Sequence, residues 1–265
     1  MRQKILIVTF LLVIQSAFSQ IDKKMDNTIL ANRKQTVSIE PVYFVLGTLS
    51  DYNGHFYYVK REKQIDRYYP FEKPMVNYLT LYIKAELNII VDTIFEKSNH
   101  CEMYSDELSK KLNSFYGEKD ELLSNKFETK NQFYSFLAGA YYRYGEKLDS
   151  SIYKIQLTNS PNHHICYELL KKSGCENVLY EYLKNIPAQF IYYFEPTDEL
   201  KKYFDSIEFE REILKKSYYN EIEEMMEGVM TKEDMKKSFK ESKDKEIEKV
   251  KNAFKKEMPT TNTRL

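Results

Sequence analysis

Between Met75 and Lys97 the apolar positions Val76, Leu79, Ile83, Leu87, Ile90 and Ile94 recur at three- and four-residue steps. Asn77, Thr80, Lys84, Asn88, Asp92 and Glu96 occupy the opposite stripe, so the spacing predicts a long amphipathic helix over 75–97. Asp92 sits inside the apolar run IIVDTIF. On a helix it shares the polar stripe with Lys84, Asn88 and Glu96, which argues against a buried catalytic carboxylate.

Other segments carry different periods. Residues 41–59 (PVYFVLGTLSDYNGHFYYV) place β-branched and aromatic residues on both sides of Asn53-Gly54, which suits the positive φ angles of a tight turn, and this predicts a β-hairpin. A loop holding Pro70 and Pro74 follows. Ser105, with Asp106 and Glu107 behind it, opens a short helix, and another falls near 118–127. Thr129 and Gln132 have the spacing of a capping box, and the helix they open carries Phe133, Phe136, Leu137, Ala140, Tyr141 and Tyr144, with Gly145 as its stop.

Over 151–206 strand and helix patterns alternate. Tyr153, Ile155 and Leu157 mark one strand; Ser160-Pro161 starts a helix that Gly174 ends; Phe190, Tyr192 and Phe194 mark a later strand; Thr197 caps a last helix. Residues 176–186 fit helix and strand alike, and their β-branched and aromatic content favours strand, giving a small β-α-β-β-α unit. Beyond 206 a charged region keeps a helical stripe through Ile207, Leu214, Tyr218, Ile222, Met225 and Val229. Gly228 and Thr231 then separate two amphipathic helices.

The pattern therefore predicts an α+β fold, predominantly helical: an N-terminal β-hairpin, a helical middle, a small β-α-β-β-α unit and C-terminal amphipathic helices. The expected divisions are a signal peptide at 1–19, a flexible lead-in at 20–40, a globular domain at 41–206, a charged helical region at 207–258 and a tail at 259–265.

The signal peptide is read from Arg2 and Lys4, the apolar run Ile5 to Ile14, and Ala17-Phe18-Ser19. That run is too short to span a bilayer, and no later segment is long and uncharged enough to do so. The reading is a soluble chain, secreted or periplasmic, cleaved after Ser19. Forty basic and forty acidic residues are interspersed, without the clustered positive charge a nucleic-acid binder needs, so nucleic acid is not expected as a partner. Twenty-three tyrosines and sixteen phenylalanines, with no tryptophan, suggest either a tyrosine-rich binding face or an aromatic core rim; the core rim is the reading adopted.

Candidate chemistry concentrates in NHHICYELLKKSGC, residues 162–175, which holds two of the four histidines and two of the three cysteines. His163 and Cys166 lie one helical turn apart, and His100-Cys101 is the other place where both residue types meet. His100, Cys101, His163 and Cys166 are therefore the metal candidates, although no spacing of the zinc-finger or zinc-ribbon kind occurs. A Cys166–Cys175 bridge would need Cα atoms within ~7 Å, which a helix between them opposes. Buried free thiols are the favoured reading, a disulfide from Cys101 comes next, and metal last. His164 and Cys166 diverge on the helix and make no ready dyad.

No nucleophile elbow, metalloprotease helix, P-loop or dinucleotide glycine pattern is present, no cofactor is implied, and no catalytic residue can be assigned. Glu195, at the end of an apolar strand, is the least ordinary carboxylate. The resulting expectation is an exported, non-catalytic binding or interaction protein of the bacterial cell envelope. Its partner would be another envelope protein, or a second copy through the C-terminal helices. The alternatives are an envelope hydrolase without a motif, or a His/Cys metal-binding protein.

Overall fold

The computed structural model describes residues 37–50, 63–95, 101–118, 121–158, 160 and 162–256. The predicted signal segment, Asn53-Gly54 and His100 lie outside them. Among the described residues there are eight α-helices and two small antiparallel sheets, so the α+β, helix-dominated class read from the pattern holds.

The first element departs from expectation. Pro41–Thr48, predicted as a hairpin arm, is helix α1, with proline in its first turn, where a missing amide costs nothing. Phe44, Val45 and Leu46 are at most 1% exposed, so the run is apolar because it is buried nearly all round. Short continuous apolar runs do not distinguish strand from buried helix.

Strand β1 (Gln64–Tyr68) leads through a 3₁₀ turn at Pro70–Glu72 to helix α2 (Lys73–Leu87). α2 stops well short of the predicted Lys97, because Asn88 takes the left-handed conformation at φ 57° and turns the chain. Ile89 and Val91 then point inward while Ile90 is exposed, a period of two, and strand β2 (Asp92–Phe95) follows. Asp92 is solvent-exposed, on a strand rather than a helix stripe. Strand β3 (Cys101–Tyr104) and helix α3 (Asp106–Asn113) come next, α3 capped by Ser105 accepting from the Leu108 amide. The helix expected near 118–127 is reduced to a 3₁₀ turn at Ser124–Lys126.

Helix α4 (Lys130–Tyr144) has the predicted Thr129–Gln132 capping box, and every residue from Tyr134 to Tyr142 is buried. Gly145 ends it in an extended conformation at φ −89°, so its glycine is not needed for a left-handed turn. A side chain there would collide with the Tyr141 carbonyl. Beyond it run β4 (Gly145–Lys147), β5 (Tyr153–Thr158), α5 (His163–Lys172), β6 (Glu176–Leu183), β7 (Gln189–Glu195) and α6 (Asp198–Asp205). These include the predicted β-α-β-β-α unit, with 176–183 a strand. α5 begins at His163, slightly later than Ser160-Pro161 implied, while Gly174 at φ 78° ends it as expected. Helices α7 (Glu208–Met225) and α8 (Lys232–Lys255) complete the chain, with Thr231 capping α8 through the Asp234 amide.

The two sheets reveal a repeat. β1, β3 and β2 are hydrogen-bonded in that order, all antiparallel; β5, β7 and β6 repeat the order in the second sheet, with β4 added at the β5 edge. Each half therefore runs helix, strand, helix, strand, strand, helix, with the last strand inserted between the two that flank the crossover helix. The halves join through α1 and α4. A Cβ on Gly47 would strike the Phe136 carbonyl, and one on Gly139 the Phe44 carbonyl, so the two backbones meet through reciprocal glycines.

Candidate functional site

Three places hold chemistry, and the first is Arg143 near the end of α4. It lies on the face of α4 that carries Phe136 and Gly139, and it is sealed from solvent. Its Nε donates to Glu72 Oε1 at 2.7 Å, Nη1 to Asp66 Oδ2 at 2.6 Å and to the Thr48 carbonyl at 2.8 Å. Nη2 donates to the Arg67 carbonyl at 2.8 Å and to Glu72 Oε2 at 3.0 Å. A guanidinium has five N–H donors, and all are spent. Burial opposes its charge, but Glu72 and Asp66 outweigh that and hold the arginine well above its ordinary pKa. Asp66 is filled as well, accepting from the Ser50 amide and hydroxyl at 2.7 and 2.5 Å and from the Arg67 amide at 2.7 Å.

A second arginine, Arg211 of α7, donates to the Gly145 carbonyl at 2.6 Å and lies over the Tyr141 ring. The carboxyl-terminal ends of α1 and α4 thus each receive a cation, as the helix dipole favours. This cluster is a lock between halves rather than a site open to a substrate. The sequence signal for it was one arginine at core spacing in FLAGAYYRYG.

The second place is the His/Cys stretch. His163 is sandwiched between Phe190, at 3.8 Å and 11° between planes, and His164, also at 3.8 Å; its Nδ1 lies 2.8 Å from the Ser160 carbonyl. Burial, aided by His164, lowers its pKa against the opposing pull of that carbonyl. Cys166 is buried on α5, and Cys101 is buried on β3 in the other half. Cys101, Cys166 and Cys175 are all thiols, none joined in a disulfide. Among the described residues, no group of three or more His, Cys, Asp or Glu is placed to hold a metal ion. Cys175 is buried just after Gly174, its amide donating to the Leu170 carbonyl at 3.2 Å, and burial pushes its thiol up to about 11. Glu195 accepts from Asn177 Nδ2 at 2.6 Å on the surface.

The third place was not anticipated as a cavity. α7 and α8 enclose a cleft of about 700 Å³ walled by Phe209, Ile213, Tyr219, Met235 and Phe239. Tyr219 and Phe239 meet edge-on at 5.4 Å. Phe209 is 59% exposed, and Tyr218, Met225, Val229, Met230 and Phe239 are each at least 36% exposed, so exposed apolar surface is gathered on this hairpin. Glu212 is paired with Lys215 at 3.1 Å, and Glu223 with Lys232 at 2.7 Å. Lys216 and Lys236 also line the cleft, and the Lys236 charge helps to hold Glu223 below its ordinary pKa after the hydrogen bond from Lys232. The helical stripe was legible in the sequence; that its apolar side would stay open was not.

These features define a duplicated α+β protein with a locked centre and an open C-terminal cleft. No protein-family model matches the chain, and no curated protein does. Among solved structures it is similar to I-DmoI in complex with DNA and Ca, at 14% identity and TM-score 0.41, over 64% of this chain and 88% of that one. Mesophilic variants of the homing endonuclease I-DmoI give 14% identity and TM-score 0.43 over 63% and 97%. Full-length DUF199/WhiA from Thermatoga maritima gives 14% and 0.39 over 78% and 68%.

The expectation of an exported binding protein of the cell envelope whose partners do not include nucleic acid is not met by these neighbours. They are named as a homing endonuclease, in one case with DNA, and as WhiA. At TM-scores of 0.39–0.43 the likeness transfers neither an activity nor a partner. Among the described residues no helix is long and apolar enough to cross a membrane.

Proposed function

We propose that the chain binds an anionic amphiphile, an apolar chain ending in a carboxylate, in the cleft between α7 and α8. The observation that carries this reading is an open apolar cleft whose lining holds three lysines, Lys215, Lys216 and Lys236, against two glutamates, Glu212 and Glu223, which leaves it a net positive charge. The cleft's ~700 Å³ falls within the range of small-molecule sites, which are mostly apolar with a few polar groups to fix orientation. The apolar walls take the chain, and the lysines hold the head group by charge-assisted hydrogen bonds.

The test is a competition titration on the full chain, displacing a fluorescent long-chain carboxylate with dodecanoate or with dodecanol. Saturable binding is expected, with the double variant K216Q/K236Q weakening dodecanoate about tenfold, or ~1.4 kcal/mol, while dodecanol is unaffected. Phe209→Ser should weaken both ligands. The absence of saturable binding, or equal loss for acid and alcohol in the lysine variant, would overturn the reading.

A further inference from the structure

Helix α8 belongs to the cleft only over its first turns; farther along it lies across the outward face of the four-stranded sheet. Val250 is fully buried there against Leu148, Ile152, Ile191 and Tyr193, with Ile247 and Phe254 beside it. This seat is small for a helix of 24 residues, in which only Met235 and Val250 are buried. Charge supplies the rest of the contact. Lys249 reaches Glu181 at 2.7 Å, Lys251 reaches Asp149 at 2.6 Å, and Lys243 reaches Glu146 at 3.1 Å and the Lys147 carbonyl at 2.8 Å.

At the centre of these pairs the arrangement is reversed: the sheet supplies the donors and the helix the anion. Glu246 accepts from Lys154 Nζ through both oxygens at 3.1 Å and from the Tyr193 hydroxyl at 2.7 Å. The Lys154 side chain is 12% exposed, and Glu146 of the neighbouring strand is its other partner, at 3.0 Å. In the first sheet the outward Arg67 settles within the sheet, on Glu102 at 3.1 Å. Lys154 instead draws a carboxylate from a helix that comes from the far end of the chain. The connection to that helix turns at Gly228, which takes φ +80° with nothing within 4 Å of where its Cβ would be.

We propose that α8 is a clasp over the four-stranded sheet, hinged at Gly228 and latched by Glu246, and that Lys154 with Tyr193 forms a carboxylate site which Glu246 fills as a tethered ligand. Opening removes one wall of the α7–α8 cleft and bares the apolar seat of Val250. An element with so few buried side chains opens before the core that carries it. Both donors belong to the sheet strands β5 and β7, and α8 covers them when closed, so a free carboxylate is held more tightly with the helix down than with it lifted.

Hydrogen exchange read by mass spectrometry on the full chain tests this. Residues 243–255 are expected to exchange faster than α4, and Glu246→Ala to accelerate that segment about tenfold while leaving α4 unchanged. Acetate added to the E246A protein should restore protection by occupying the vacated site, and chloride at equal ionic strength should not. Equal protection of α8 and α4 in the parent chain would make α8 a permanent part of the core and overturn the clasp. Unchanged exchange in E246A would overturn the latch, and equal effects of acetate and chloride would overturn the carboxylate site.

Discussion

Arg143 and Asp66 face each other across 2.6 Å with side chains 3% and 0% exposed, and they tie α4 of the second half to β1 of the first. Removing one partner of such a pair strands a buried charge, which is far more damaging than never having had the pair. Arg143→Met is expected to lower stability by ~3–5 kcal/mol because Asp66 and Glu72 both lose their cation. Urea unfolding of the two proteins checks this; a loss under ~1 kcal/mol would mean the lock is not what joins the halves.

The glycine crossing makes a second, steric expectation. Gly139→Ala puts a methyl group into the Phe44 carbonyl, and backbone cannot yield as a side-chain tip can. Overpacking of this kind costs ~1–3 kcal/mol or more. The same substitution at Gly228 meets no neighbour, and its cost is the left-handed φ alone, about 1 kcal/mol. Thermal melts of the two variants should rank Gly139→Ala as the more damaging; the reverse order would show that α1 and α4 are not in close backbone contact.

The stacked histidine gives a pH dependence with a definite sign. Burial holds His163 below its ordinary pKa, so as pH falls the unfolded chain takes up its proton first, near ~6.5. Stability from this group is complete above that value and is lost progressively as pH drops toward the folded pKa. His163→Phe, which keeps a ring against Phe190, should flatten the decline in unfolding free energy between about pH 7.5 and 5. A slope unchanged by the substitution would exclude His163 as its source.

Asp149 acts lower on the scale. Although burial opposes it, the Lys251 ammonium and the amides of Ile152 and Ser151 bring its carboxyl down to about 2. Its contribution is present above the unfolded ~3.9 and is lost as pH falls through about 2. Since Lys251 sits on α8, residues 243–255 should lose exchange protection in that acidic window ahead of α4. Simultaneous loss in both segments would contradict this.

The three buried thiols predict a simple titration. A disulfide-forming thiol reagent should find almost no reactive cysteine in the folded protein and all three after denaturation, since Cys101, Cys166 and Cys175 are each under 8% exposed. Reaction of any one at the rate of a free thiol would show that its surroundings open readily.

Local order was legible because it is written in neighbouring residues. The caps at Ser105, Thr129, Thr197 and Thr231 are observed, as are the left-handed Gly174, the β-α-β-β-α unit and the break between α7 and α8. Each depends on a period or a hydrogen bond spanning a few residues. Tertiary structure decided the rest. Residues 41–48 became helix because burial against α4 overrode the strand preference of their side chains. The long stripe after Met75 broke at Asn88, where the alternation of Ile89, Ile90 and Val91 proved to be that of an extended segment. Arg143 meets Asp66 and Glu72, and Glu246 meets Lys154, across chain separations that no spacing rule reaches. The repeat of β1-β3-β2 in β5-β7-β6 is likewise a matter of pairing between distant strands, and pairing is fixed by which faces can be buried together.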